Sequence, residues 1–290
     1  MKQPGSPIEV SVVIPCRNSA RYLAGQLGAL AQQDYEGSWE VIVVDNASTD
    51  GSRAVAERFR GLSNLRVVNA PDRSGAAYAR NVGARASTGG KLLFVDADDE
   101  VAPGYLRTLS GALDTNDFVA SRVDSQALNP GWIRAAHAPW QDVGIADWFG
   151  FLPCSSVNIG VSRSMFEAVG GWPEEYPASE DIAFAWRLQL AGASLHFVPE
   201  AVYRCRYRDS LAGLYRQTSR WGVSSSLLYR EFKAAGMRRR PLAAAAREWL
   251  EVLAGLPKAR SKAEFAPLLV KLGDCLGRLE GGIRYRVLFP

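Results

Sequence analysis

The densest group of carboxylates in the 290-residue chain is Asp96-Ala97-Asp98-Asp99-Glu100, directly after the apolar run Lys91 to Val95. Acidic groups this close repel one another unless a cation or hydrogen-bond donors neutralise them. Hard oxygen ligands of this kind suit Mg²⁺ or Mn²⁺, which keep several waters and bridge substrate phosphates. The same residues would also serve as a solvated acidic turn before a helix beginning near Pro103. A second acidic pair, Glu180-Asp181, follows the turn-prone Pro177-Ala178-Ser179. Ser179 is placed to cap a helix whose first turn favours acidic residues. The pair is also placed to supply a general base beside an acceptor hydroxyl.

Other chemistries find little support. Of the two histidines, His137 and His196, the second lies in a strand-like run and reads as structural. A serine hydrolase would need a Gly-x-Ser-x-Gly elbow, and none is present. There is no Gly-x-x-x-x-Gly-Lys-Ser/Thr phosphate loop, and the first apolar run ends in Pro15-Cys16-Arg17-Asn18 rather than in a glycine-rich turn. Cys16, Cys154, Cys205 and Cys275 are scattered, which argues against a disulfide framework or zinc cluster and fits a reducing cytoplasm.

The elements that must position the carboxylates follow from periodicity. Strands are expected over Glu9 to Pro15, Trp39 to Val44, Leu65 to Asn69 and Lys91 to Val95. Helices are expected over Ala20 to Gln33, Arg53 to Arg60 and Ser74 to Ala86. Asp50 or Ser48 would cap the second of these helices. Such alternation implies a parallel sheet with right-handed crossovers, whose ligands bind beyond the carboxyl ends of the strands. Pro15, Asp45 and Asp96 all stand at such ends. The stretch 125–160 holds Trp132, Trp140, Trp148, Phe149 and Phe151, either a pocket wall or ordinary packing. Beyond it, Met165 to Val169 and Glu180 to Ala191 read as helices, and Leu195 to Val198 and Ala201 to Tyr203 as short strands. Leu211 to Ala235, Leu242 to Ala254 and Glu264 to Leu279 read as helices again.

Composition bounds the rest. With 47% hydrophobic and 22% charged residues the chain is globular, and no apolar run approaches the ~20 residues of a membrane span. Met1 to Pro7 lacks the apolar stretch of a secretory signal. The net charge of +4 divides unevenly: residues 1–202 carry −7 and residues 203–290 carry +11. That basic third is either a solvated helical face or a surface for phosphates, an anionic membrane or nucleic acid.

Taken together, VSVVIPCRNSARYL (10–23), EVIVVDNASTDGS (40–52), GAAYARNVGARASTGGKLLFVDADD (75–99), VNIGVSRSMFEAVGGW (157–172), SEDIAFAWRLQLAG (179–192) and QTSRWG (217–222) resemble an inverting family 2 glycosyltransferase. The resemblance covers roughly residues 9–222. It implies an α/β chain of the GT-A fold, a Rossmann-like mixed sheet flanked by helices. It further implies a nucleotide-sugar domain over 1–222, followed by a basic helical extension over 223–290. By position it places Pro15, Arg17 and Asn18 in the nucleotide pocket, with Asp45 accepting from the base and Ser48 and Asp50 shaping its loop. Arg80 and Asn81 would lie near the nucleotide. Asp96-Ala97-Asp98 matches the family's Asp-x-Asp, with Asp96 towards the ribose or sugar, Asp98 on the divalent metal and Asp99 in support. Asn158 and Gly170-Gly171-Trp172 would border the donor-sugar and acceptor pocket. Asp181, after Glu180, would be the catalytic base.

Two departures qualify the resemblance. Many relatives place a metal-binding histidine after the later strands, where this chain has Tyr203-Arg204-Cys205-Arg206-Tyr207-Arg208. Arg204 or Arg206 is expected to hold the diphosphate instead, or else to be a surface charge. Gln217, Arg220 and Trp221 fit the Gln-x-x-Arg-Trp motif of processive synthases, here without their membrane channel, which implies a site element in a non-processive enzyme. The implied activity is transfer of a single sugar from a nucleotide-sugar, UDP-linked, with Mn²⁺ or Mg²⁺. The acceptor would be a hydroxyl on a glycan, natural product or lipid-linked sugar. The expected setting is cytoplasmic, with a peripheral membrane contact through the helix after Arg238-Arg239-Arg240 and no nucleic-acid partner. The competing readings are a catalytically inactive nucleotide-sugar scaffold and a nucleotidyltransferase.

Overall fold

The computed structural model of the chain describes residues 7–62, 64–137, 141–154 and 158–290. Trp140, Val157 and the segment before Pro7 lie outside the described residues. The elements run β1 (Val10–Cys16), α1 (Leu23–Ala31), β2 (Trp39–Asp45), α2 (Ser52–Glu57), β3 (Arg66–Asn69), α3 (Ala76–Ala86), β4 (Lys91–Phe94), β5 (Glu100–Val101), α4 (Tyr105–Ala112), β6 (Phe118–Asp124) and α5 (Gly131–Arg134). They continue with β7 (Ile159–Ser162), α6 (Arg163–Ala168), α7 (Glu180–Leu190), β8 (Leu195–Arg204), α8 (Leu211–Phe232), α9 (Leu242–Gly255) and α10 (Lys262–Tyr285). Among the described residues eight strands form one sheet in the order β3-β2-β1-β4-β7-β6-β8-β5.

β1, β2, β3 and β4 are parallel, as the crossover spacing requires, whereas β7 runs antiparallel to both β4 and β6. The first strands read as continuous apolar runs because both faces are covered. Alternate residues face two separate cores: Val13, Ile42, Val44, Leu92 and Phe94 on one side, Val12, Ile14, Val41, Val43 and Leu93 on the other.

The two short strands expected near 195–203 are one strand with a break in its pairing. Its register against β6 jumps from Ser121↔Val198 to Arg122↔Val202. Pro199 has no N–H to give a ladder, so the chain bulges there and resumes. Ser179 does not cap α7 with its side chain: it takes a left-handed conformation (φ 58°), away from the extended geometry of a capping serine. Of Asp50 and Ser48, Asp50 serves α2: its Oδ1 accepts from the N–H of Ser52, the first helical residue, at 2.9 Å.

Residue 222, where the domain division was expected, lies in the middle of α8, which continues unbroken to Phe232. α10 packs along that helix through Gly273, Gly277 and Gly281, set against Ser219, Gly222 and Ser226. Backbones approach closely here because neither side carries bulk. A Cβ on Gly277 would lie 2.1 Å from the Ser219 carbonyl oxygen, and one on Gly222 would lie 2.3 Å from that of Asp274. Gly277→Val should therefore push the helices apart, at a cost of about 1–3 kcal/mol or more. Urea unfolding checks this. A midpoint equal to the parent protein's would mean the close approach contributes nothing.

Candidate functional site

The site begins where β4 ends. Gln26, fully buried on α1, straps the acidic turn at both ends: its amide donates to the Asp96 carbonyl at 3.0 Å and its oxygen accepts from the Val101 N–H at 3.0 Å. The Asp96 N–H donates to the Tyr203 hydroxyl at 2.9 Å, fixing the turn to β8. Within it, one oxygen each from Asp96, Asp98 and Asp99 lie within 4.8 Å of one another. Burial first, then the neighbouring Asp96, pushes the Asp98 carboxyl up, against the pull of Arg208 and Arg206. Asp99 is pushed well above the usual carboxylate range by burial and by Asp98 and Asp96. Its oxygen accepts from the Arg206 N–H at 2.6 Å. A compact set of hard oxygens carrying repulsive charge suits a divalent cation, so the donor set fits Mg²⁺ or Mn²⁺.

Arg80, on α3, joins this turn to the second acidic motif. Its side chain is 1% exposed and donates to Asp96 Oδ1 and to Glu180 Oε1, each at 2.8 Å. The guanidinium also stacks over Trp172 at 4.8 Å. Glu180 and Asp181 open α7, and Asp181 Oδ1 accepts from the Ile182 N–H at 2.8 Å.

A cleft of about 980 Å³ connects these groups. Asp96, Asp98, Asp99, Glu180 and Asp181 line it, and Arg206 and Arg208 stand beside them. Arg206 reaches the Asp98 carbonyl at 3.0 Å, and Arg208 pairs with the Asp98 carboxylate at 3.3 Å. α8 contributes Arg216, Gln217, Arg220 and Trp221. His137 stacks on Tyr207 with centroids 3.9 Å apart, and burial lowers its imidazole to about 4, so it is neutral near pH 7. Buried Gln217 Oε1 and His137 Nε2 have no hydrogen-bond partner among the described residues. At the far end α9, α10 and the C-terminal tail supply Glu248, Lys271, Asp274, Arg278 and Phe289.

A second group of expected residues clusters at the ends of β1 and β2, outside that lining. Asn18 is left-handed (φ 53°); its N–H donates to Ser48 Oγ at 3.2 Å and its Oδ1 accepts from the Thr49 N–H at 2.8 Å. Asp45 Oδ1 accepts from the Ser48 N–H at 3.0 Å, and Asp50 accepts from the Ala20 N–H at 3.0 Å. Arg17 bonds Ser74, and Pro15 pairs with Val44 inside the sheet.

Further expected residues reach neither the cleft nor that cluster, among them the Gly170-Gly171-Trp172 turn, whose Trp172 is buried. Asn81 is buried and clamps the chain at Trp172 through its N–H and carbonyl, at 2.8 and 2.9 Å, with Glu174 as a further partner. Asn158 is fully buried and donates to the Ser121 carbonyl at 2.6 Å. Ala97 is buried under the acidic turn. Arg204 pairs within β8 opposite Glu100 and Asp124, whereas Arg206 lines the cleft. Of the aromatic stretch, Trp148 and Phe149 line the cleft, whereas Phe151 stacks on Trp186 in the core and Trp132 lies under Lys262. Sequence reasoning missed Gln26, Arg208 and Arg216. Arg208 was within reach, since it follows Arg206 at the two-residue spacing of an extended segment.

Known proteins give this geometry a context. The model of glycosyl transferase family 2 matches residues 11–170, and that of glycosyl transferase family group 2 matches residues 91–261. The glycosyltransferase AglE of Haloferax volcanii is 30% identical over 200 residues, 67% of this chain and 65% of that protein. The poly(ribitol-phosphate) beta-N-acetylglucosaminyltransferase TarS of Staphylococcus aureus is 35% identical over 202 residues, 68% of this chain and 35% of TarS. The chain thus spans about a third to two thirds of these relatives' length. Among solved structures, residues 1–349 of TarS with UDP-GlcNAc superpose with a TM-score of 0.58 at 18% identity, covering 98% of this chain and 93% of that one. The mannosyltransferase PcManGT of Pyrobaculum calidifontis, with GDP-Man and Mn²⁺, gives 0.62 at 20% identity, covering 96% and 90%. The strand order, the acidic turn after β4 and the matched family models agree: this chain belongs to glycosyl transferase family 2 and has the GT-A fold.

Proposed function

We propose that the chain is an inverting transferase that moves one sugar from a UDP-linked donor to a hydroxyl acceptor. The observation that carries this reading is the buried Arg80 guanidinium, which ties Asp96 to Glu180 and so holds both acidic motifs on one cleft. The nucleotide-sugar complexes of TarS and PcManGT support it.

In this reading Arg17, Asn18, Asp45 and Ser48 hold the nucleoside beyond the ends of β1 and β2. Asp96 and Asp98, with Asp99 behind them, would hold the divalent metal, which when bound neutralises charge on the diphosphate. Arg206, Arg208 and Arg220 face the same leaving group. Asp181 takes the proton from the acceptor hydroxyl as its oxygen attacks the anomeric carbon. The bond from that carbon to the diphosphate oxygen breaks, and its electron pair leaves with the nucleotide. One displacement inverts the centre, so no enzyme nucleophile is needed. The unit through residue 222 would bind the donor, and residues 223–290 would wall the acceptor side and meet a membrane surface.

Thermal unfolding with UDP, GDP, CDP or dTDP, with and without Mn²⁺, tests the donor assignment. A ligand at about 100 times its dissociation constant adds about 2.7 kcal/mol of stability. UDP with Mn²⁺ should raise the midpoint most, and Asp98→Ala should abolish the metal-dependent part. Silence towards every nucleotide would overturn the reading. Binding without any release of sugar from UDP-sugars would make the chain a scaffold.

A further inference from the structure

The C-terminal helices leave apolar surface that the fold does not use. On α9, Ala245 and Val252 are buried inward, while Leu242, Leu250 and Leu253 stand 61%, 67% and 63% exposed on the other side. On α10, Phe265, Leu269, Leu272, Leu276, Leu279 and Ile283 recur every three or four residues. Exposure is greatest near its end, where Ile283 is 82% exposed. The two helices are tied through Lys271–Glu251 and Arg278–Glu248, each at 2.6 Å, so both surfaces belong to one hairpin. Large apolar side chains left exposed together on one hairpin mark an interaction surface.

Charge decides what covers it. Across residues 233–290 nine Lys and Arg are exposed, among them Arg239, Lys258, Arg284 and Arg286, against two exposed acids, Glu264 and Glu280. The spacing on α10 would also serve a helix pair, but a second copy would bring like charges together. We propose that the α9–α10 hairpin docks on an anionic lipid bilayer, its leucines in the interface and its basic residues at the headgroups. α9, α10 and the tail also supply the far wall of the cleft. A docked hairpin therefore sets the cleft beside the bilayer, and the acceptor it fits is a sugar on a lipid anchor. The choice of acceptor rests on the transferase reading above; the docking does not.

Flotation with vesicles of phosphatidylcholine alone or mixed with phosphatidylglycerol tests this on the full chain. Binding to the anionic vesicles should be roughly tenfold stronger. It should weaken between 0.1 and 1 M salt, as the screening length falls from about 10 to 3 Å. Leu250→Glu with Leu253→Glu should remove it while UDP-sugar hydrolysis stays unchanged. Absence of flotation, or equal binding to both vesicles, overturns the proposal. So does a dimer in equilibrium sedimentation that Leu253→Glu or Ile283→Glu disperses. Loss of hydrolysis activity in a protein that still floats would sink the transferase reading alone.

Discussion

Asp181→Asn should lower the rate of sugar transfer by about 10²–10⁴-fold, the range a positioned general base contributes, and leave nucleotide-sugar affinity unchanged. The family resemblance implies Asp181 rather than Glu180 as the base, and the pairing of Glu180 at the start of α7 agrees with it. Glu180 Oε1 is engaged by the buried Arg80 guanidinium at 2.8 Å, so its negative charge is already neutralised. Asp181 stands in the same first turn and lines the cleft, its Oδ1 accepting from the Ile182 N–H. Asparagine keeps the shape and the bond from the Ile182 N–H but cannot take a proton. Single-turnover transfer with saturating donor separates the two carboxylates. Glu180→Gln retains an acceptor for Arg80 and should cost less than Asp181→Asn. If the order were reversed, Glu180 would be the base.

The sheet and its strand ends were legible because β1, β2 and β4 are largely apolar runs that stop at or near Pro15, Asp45 and Asp96. Val10–Cys16 and Trp39–Asp45 lie within a residue of their expected bounds, and the acidic turn stands directly beyond β4. What stayed hidden was direction. Nothing in a period tells that Asn81, next to Arg80 on α3, turns to clamp Trp172 while Arg80 turns to the carboxylates. Helix neighbours differ by about 100° in heading, so adjacent residues of one motif serve a core clamp and a cleft. Gln26 was invisible for another reason. Its two partners, Asp96 and Val101, are 70 and 75 residues away, and only the fold brings them within hydrogen-bond reach. Which of Arg204 and Arg206 lines the cleft also had to wait for pairing: Arg204 is the last residue of β8, and Arg206 follows beyond it in the cleft lining.

Arg80→Met should destabilise the protein by about 3–5 kcal/mol, because removing one member of a buried ion set leaves charge without compensation. Two carboxylates depend on this one cation, Asp96 with its side chain 26% exposed and Glu180 with 15%. Methionine fills much of the volume and can still lie on Trp172, so lost packing is a small part of the effect. Charge loss then predicts a specific rescue. Adding Asp96→Asn and Glu180→Gln to Arg80→Met removes the uncompensated charge and should recover most of the stability, since apolar replacement of a whole buried ion set is often near neutral. Transfer should not recover, because Asp96→Asn removes a carboxylate of the proposed metal set and the tie between the turn after β4 and the start of α7 is lost. Arg80→Lys keeps the charge but offers one ammonium where a planar fork reached both partners, and it should fall between the two. Urea unfolding midpoints measure the stability series, and donor turnover measures the rest. An Arg80→Met protein within about 1 kcal/mol of the parent, the range of an ordinary substitution, would mean that water replaces the guanidinium and that the two acidic motifs hold their places without it.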